Sequence, residues 1–127
     1  MKKEIAIIDD DLEYIKIFKS FFLGVNTNVN IYSSEKAIDN YIGLIKYDMI
    51  FVDHSLSWGC GVEVINFLSE KLDTDFSLIC SDIEHYSKEN IFNIKIKGIL
   101  HKYNKECIIS WYYNTLNKKQ VLLGMES

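Results

Sequence analysis

The chain contains no proline and no arginine among its 127 residues. Without proline, its turns must be made by Gly, Asn, Asp and Ser. Without a single guanidinium, and with a net charge of −4, it is a poor candidate for binding nucleic acid, which calls for a basic face and bidentate guanidinium contacts. No run of 18 apolar residues occurs, and Met1-Lys2-Lys3 passes at once into Glu4 and further acids. That argues against a membrane span and against a secretory signal, so a cytoplasmic location without a membrane partner is expected. Cysteine is scarce. Cys60, Cys80 and Cys107 form an odd set without metal-ligand spacing, and they read as reduced, mostly buried thiols.

Apolar residues are plentiful, at 48% of the chain, enough for one domain that buries about two-thirds of its unfolded surface in one core. Short apolar runs alternate with stretches of helical periodicity. Ile5 to Ile8 reads as a buried strand, and residues 11–22 place Leu12, Ile15, Phe18 and Phe22 on one helical face. Asn28 to Tyr32 is a second strand, followed by Ala37, Ile38, Tyr41, Ile42 and Ile45 at helical spacing. Met49 to Val52 is a third strand ending on Asp53; a Gly-containing loop then leads to a helix bearing Val64, Ile65, Leu68 and Leu72. Leu78 to Cys80, a helix near Ser87 to Ile94, Ile99 to His101, and a helix from Cys107 to Leu116 complete five βα units. Strands that lack polar alternation and are separated by helices indicate an α/β fold with a parallel sheet covered on both faces.

In such a sheet, ligands bind beyond the carboxyl ends of the strands, where strand order reverses. Asp9, Asp10 and Asp53 fall there. Carboxylates gathered at two neighbouring strand tips repel one another, so either some are protonated or a cation sits among them. Oxygen-only donors suit a hard divalent ion, and Mg²⁺ binds one or two protein carboxylates while keeping positions for phosphate oxygens. The bland alternative is helix capping, which is the expected role of Asp11. The fourth strand ends at Ser81 and the fifth at Lys102. Each alone is an ordinary turn residue or a solvated charge. Together, a metal site, a carboxylate nucleophile, a hydroxyl and an ammonium are what phosphoryl transfer requires, with Asp53 able to form an acyl phosphate.

The segments "IIDDD" at residues 7–11, "IFVDHSLSWGCGVEVI" at 50–65, "LICSD" at 78–82 and "GILHKY" at 98–103 together resemble those of a response regulator receiver domain. The spacings agree: 43 positions from Asp10 to Asp53, 8 from Asp53 to Gly61, 28 from Asp53 to Ser81 and 21 from Ser81 to Lys102. The resemblance implies a flavodoxin-like doubly wound sheet of five parallel strands in the order 2-1-3-4-5. It implies a receiver over residues 1–117, with 118–127 as a C-terminal tail or the start of a linker. Asp53 would be the phosphoacceptor; Asp9, Asp10, Asp53 and the backbone carbonyl of Ser55 would hold Mg²⁺, for which Mn²⁺ could substitute. Ser81 and Lys102 would contact the phosphoryl oxygens. The implied function is a two-component phosphorelay switch, not an enzyme beyond its own phosphorylation and dephosphorylation. Its implied partner is a sensor histidine kinase or phosphotransfer protein. A homodimer or target would bind through the fourth helix, fifth strand and fifth helix.

The chain departs from the family pattern at several positions. Ser57 stands where proline is usual, so the loop after Asp53 loses rigidity. Asp82 replaces a small residue after the switch hydroxyl and would narrow access to the site. A shifted register would make Cys80 the switch residue, although a hydroxyl donates the better hydrogen bond. Ile99 replaces a common aromatic, and Tyr103 a proline. His54 should point away from Asp53. Trp58 lies in the loop beside the site, and Trp111-Tyr112-Tyr113 must turn one or two rings to the core. Two rival readings are a receiver-like interaction module that works without phosphorylation, and a Mg²⁺-dependent phosphatase.

Overall fold

A computed structural model describes residues 2–82 and 95–124, with side chains placed through Asn117. The expected helix near Ser87 to Ile94, and His85, lie outside the described residues.

β1 (Lys3–Ile8) buries Ile5, Ala6, Ile7 and Ile8 completely, which requires cover on both sheet faces. The cover comes from helices that follow each strand. α1 (Leu12–Phe21) starts at Asp11, whose side chain accepts hydrogen bonds from the Glu13 and Tyr14 amides. It buries Tyr14, Ile15, Phe18 and Phe21. Leu12, expected on that face, is exposed, because it sits on the first turn beyond the strand tips. β2 (Thr27–Tyr32) leads to α2 (Glu35–Tyr41), capped by Ser34, and a 3₁₀ turn over Ile42–Leu44. That turn ends the helical periodicity early, so Tyr41 is exposed instead of packed.

β3 (Met49–Asp53) is buried throughout. A small antiparallel hairpin follows, β4 (Ser55–Leu56) and β5 (Gly59–Cys60), where only a loop was expected. Two-residue strands leave no periodic trace in a sequence. α3 (Gly61–Ser69) comes next, and Leu72 lies past its end. β6 (Asp75–Cys80) and β7 (Ile96–His101) begin earlier than their apolar runs suggest, since Asp75, Lys97 and Gly98 mask the pattern. α4 (Lys105–Gly124) extends past the expected end at Leu116, so the backbone of 118–124 is helical. Its first turn is capped by Asn104, whose side chain accepts from the Cys107 amide at 2.9 Å. Cys107 is exposed there, Cys60 is half-buried and only Cys80 is buried, which corrects the expectation of mostly buried thiols. No described helix is long and apolar enough to cross a membrane.

The five main strands are all parallel, in the order β2-β1-β3-β6-β7. Leaving out the hairpin, this is the expected 2-1-3-4-5 order. Strand alternation divides the core into two clusters. Ala6, Ile8, Ile50, Val52, Leu78 and Cys80 face α2 and α3. Ile5, Ile7, Met49, Phe51, Ile79 and Leu100 face α1 and α4.

Candidate functional site

Because every main strand runs the same way, their carboxyl ends share one edge. Backbone bonds carry the ladder past those ends: Asp9 N–H to the Tyr32 carbonyl at 3.1 Å, His54 N–H to Ile79 at 2.9 Å and Lys102 N–H to Cys80 at 3.0 Å. Asp9, Asp53 and Lys102 therefore continue the alternation of Ile7, Phe51 and Leu100, onto the α1/α4 face. Gly61 fixes how closely α3 begins behind β3. Its amide donates to the His54 carbonyl at 2.7 Å, and any Cβ there would collide with the Asp53 carbonyl oxygen.

Lys102 joins the acids. Its Nζ lies 3.1 Å from Asp9 Oδ2 and 3.1 Å from Asp53 Oδ1, with all three residues buried. The Tyr14 ring lies beneath, its centroid 4.2 Å from Nζ, and the Tyr14 hydroxyl donates to the Lys102 carbonyl. Asp9 Oδ1 accepts the Asp11 amide at 2.9 Å, and Asp10 Oδ2 accepts the Ser57 amide at 2.9 Å, tying the hairpin to the strand tips. Asp9 Oδ2 is wholly buried and makes no well-aligned hydrogen bond; Lys102 meets it as a neighbouring charge.

The electrostatics follow from this crowding. Burial, with repulsion from Asp53, pushes the Asp9 carboxyl up to about 6 despite Lys102. Burial also raises Asp53, against the pull of Lys102. Burial opposes the charge on Lys102, but Asp9 and Asp53 outweigh it and hold the ammonium above its ordinary value. Ligand oxygens of Asp9, Asp10 and Asp53 lie within 4.8 Å of one another. Three hard oxygen donors, one of them a buried atom met only by the Lys102 charge, fit a small divalent cation.

Neither the family models nor the curated proteins give a match to this chain. Solved structures do. A two-component response regulator from Clostridium difficile superposes with a TM-score of 0.83 at 22% identity, covering 93% of this chain and 98% of its own. The signal receiver domain of an HD-domain protein from Pseudomonas fluorescens gives 0.81 at 12%, covering 94% and 98%. A Thermotoga maritima response regulator, solved in complex with Mg²⁺–BeF, gives 0.77 at 16%, covering 89% and 98%. The chain has the receiver fold.

Within this receiver fold, Asp9, Asp10, Asp53 and Lys102 come together. Ser55 lies beside them on β4; its side chain is exposed and meets His54 Nδ1 at 3.1 Å, while its amide helps to hold the Asp53 carboxylate. Ser81 is exposed one residue beyond β6, and no hydrogen bond joins its hydroxyl to the cluster. Its parity matches Asp53 and Lys102, whereas Cys80 packs on the opposite face among Val52 and Leu78. By strand parity Ser81, and not Cys80, falls on the side of Asp53 and Lys102. Asp82 raises the Cys80 thiol, after burial, while Lys102 lowers the Asp53 carboxyl and Asp10 raises it.

Trp58 packs half-buried against the α2/α3 core, away from the acids. Tyr112 is buried, Trp111 half-buried and Tyr113 exposed. Tyr14 was not singled out in the sequence. It shares the helical face of Ile15 and Phe18, and a buried tyrosine needs a partner for its hydroxyl, but nothing local names one 88 residues away.

Proposed function

We propose that this chain is the phosphoacceptor receiver of a two-component phosphorelay, taking a phosphoryl group on Asp53. The observation that carries this reading is the Lys102 ammonium, held 3.1 Å from both Asp9 and Asp53 at the strand ends, with Asp10 alongside. An Asp53 oxygen would attack the phosphorus of a phosphohistidine. The P–N bond breaks, its electron pair stays on the imidazole, and an acyl phosphate forms on Asp53. Lys102 can turn from the Asp53 carboxylate toward a phosphoryl oxygen while keeping Asp9, and Ser81 faces the same side as a hydroxyl donor. Such a change of partners is the differential contact that shifts a two-state switch.

Asp9, Asp10, Asp53 and the Ser55 carbonyl would hold Mg²⁺, which supplies positive charge to the phosphoryl oxygens when bound. Mn²⁺ has the same ligand preference and would substitute. The chain would catalyse nothing beyond its own phosphorylation and dephosphorylation, would work in the cytoplasm, and would take its phosphoryl group from a sensor histidine kinase or a phosphotransfer protein. The β7–α4 region, with its exposed Tyr113, would be the face presented to a target or a second copy.

The test is intact mass after incubation with acetyl phosphate and Mg²⁺. One phosphate adduct, lost in Asp53→Asn and with chelator, is the expected result. No adduct on the parent chain, and none on Asp82→Ala, would leave an interaction module that works without phosphorylation.

A further inference from the structure

On the face of the sheet opposite the acid cluster, α2, the hairpin and α3 enclose a cleft of about 190 Å³. Ile38 and Leu68 form its buried floor from facing helices, and Val64 and the half-buried Trp58 form its walls. Phe67, half-exposed, closes one side. The volume is that of one large side chain, well short of the ~300–1,000 Å³ of a cofactor site.

The charged residues that line the cleft are acidic: Glu35 and Asp39 on α2 and Glu63 on α3, all three exposed. One cation stands close by, Lys71, whose Nζ lies 4.3 Å from the centroid of the Phe67 ring. Three carboxylates around an apolar hole disfavour an acidic peptide or an anionic lipid surface. They also disfavour a second copy of this chain, with its net charge of −4. They favour a lysine or arginine on either side of an apolar anchor, where opposite charge speeds encounter and sets register.

We propose that this cleft docks a basic segment of a partner protein, inserting one aromatic or branched aliphatic side chain between α2 and α3 with cationic residues against Glu35, Asp39 and Glu63. The contact is small, so the complex is transient.

The two tryptophans provide the readout. Trp58 lines the cleft, whereas the Trp111 indole donates to Ser77 Oγ at 2.7 Å on the opposite face. The probe is the blocked peptide Lys-Lys-Phe-Leu-Lys-Lys, titrated into the ¹⁵N-labelled chain at low salt. The Trp58 indole resonance should move and saturate while that of Trp111 stays. Rising salt should weaken the binding. Replacing both Asp39→Lys and Glu63→Lys, on exposed helix positions, should weaken it by about tenfold or more. Peptides with Ser in place of Phe and Leu, or with Glu in place of Lys, should leave Trp58 unmoved. Three outcomes would overturn the proposal: no Trp58 shift at millimolar peptide, undiminished binding to the charge-reversed variant, or shifts confined to the Asp10 and Asp53 amides.

Discussion

The two faces of the sheet are filled with different chemistry. Toward α2 and α3 the buried cluster is chiefly aliphatic, with rings at only three of its fourteen positions, Tyr32, Tyr47 and Phe76. Toward α1 and α4, six of twelve are rings: Tyr14, Phe18, Phe21, Phe22, Phe51 and Tyr112. The ring side also carries polar tips that reach across the fold. Tyr14 donates to the Lys102 carbonyl, Tyr112 pairs with Thr27, and the half-buried Trp111 donates to Ser77. Asp9, Asp53 and Lys102 stand at the end of this ring-lined face. Aliphatic packing can fill space. Only the amphipathic rings both fill it and orient a charged neighbour, which is why the buried ammonium sits on their side.

That contrast can be broken most severely at Phe51, which packs edge-on against Phe18 at 5.1 Å between centroids and tilts against Phe22. Phe51→Ala should destabilise the chain by about 3–5 kcal/mol, against ~1 kcal/mol for Ile50→Val on the aliphatic side, both read by urea unfolding. If the two changes were alike, the ring side would have no special cohesion.

Gly61→Ala attacks the seam between the faces. The new Cβ meets the Asp53 backbone and approaches Leu78 Cδ1 at 3.0 Å, so α3 must move. A loss of about 2–3 kcal/mol is expected, together with a weaker phosphate adduct if Asp53 is the phosphoacceptor proposed above. The same change at the exposed Gly43, where a Cβ meets nothing, should be close to neutral.

The acid cluster yields a pH signature. Asp9 titrates at about 6 in the folded, metal-free chain, above the ~3.9 of an unfolded aspartate. A raised carboxyl favours folding in its protonated form. Its contribution is full below about pH 4 and disappears as pH rises through about 6, amounting to roughly 3 kcal/mol. Asp53 is displaced in the same direction and adds to the trend. Urea midpoints measured in chelator should fall between pH 4 and 6.5, and Asp9→Asn should flatten that slope. A stability that climbed across this window would contradict the assignment.

The smallest effect belongs to Tyr14→Phe. It removes the hydroxyl bound to the Lys102 carbonyl while keeping the ring under the ammonium, and should cost about 1 kcal/mol. Tyr14→Leu, which also removes the ring face, should in addition change the Lys102 Nζ resonance in a ¹⁵N spectrum.

Much of this architecture can be read from local pattern. Four buried apolar residues in β1, the Asp11 cap, and the Ile15 and Phe18 spacing in α1 are decided by neighbours within one or two turns, and periodicity reports them directly. Strand order followed from the alternation of strands and helices together with the motif resemblance. The acids were legible because each ends an apolar run. The hairpin was not, since β4 and β5 have two residues each, and neither was the length of α4, whose cap is a single asparagine.

By itself, then, the sequence determined which elements form and which charged groups stand at their carboxyl ends, because both depend on residues close along the chain. Tertiary structure decided what those groups touch. Lys102 between Asp9 and Asp53, Tyr14 beneath it, the Ser57 amide on Asp10, and an acidic rim around an apolar cleft all join residues far apart in sequence. Such contacts depend on the register of β1, β3, β6 and β7 and on the tight approach that Gly61 permits. These are cooperative properties of the packed sheet, carried by no single stretch of the chain.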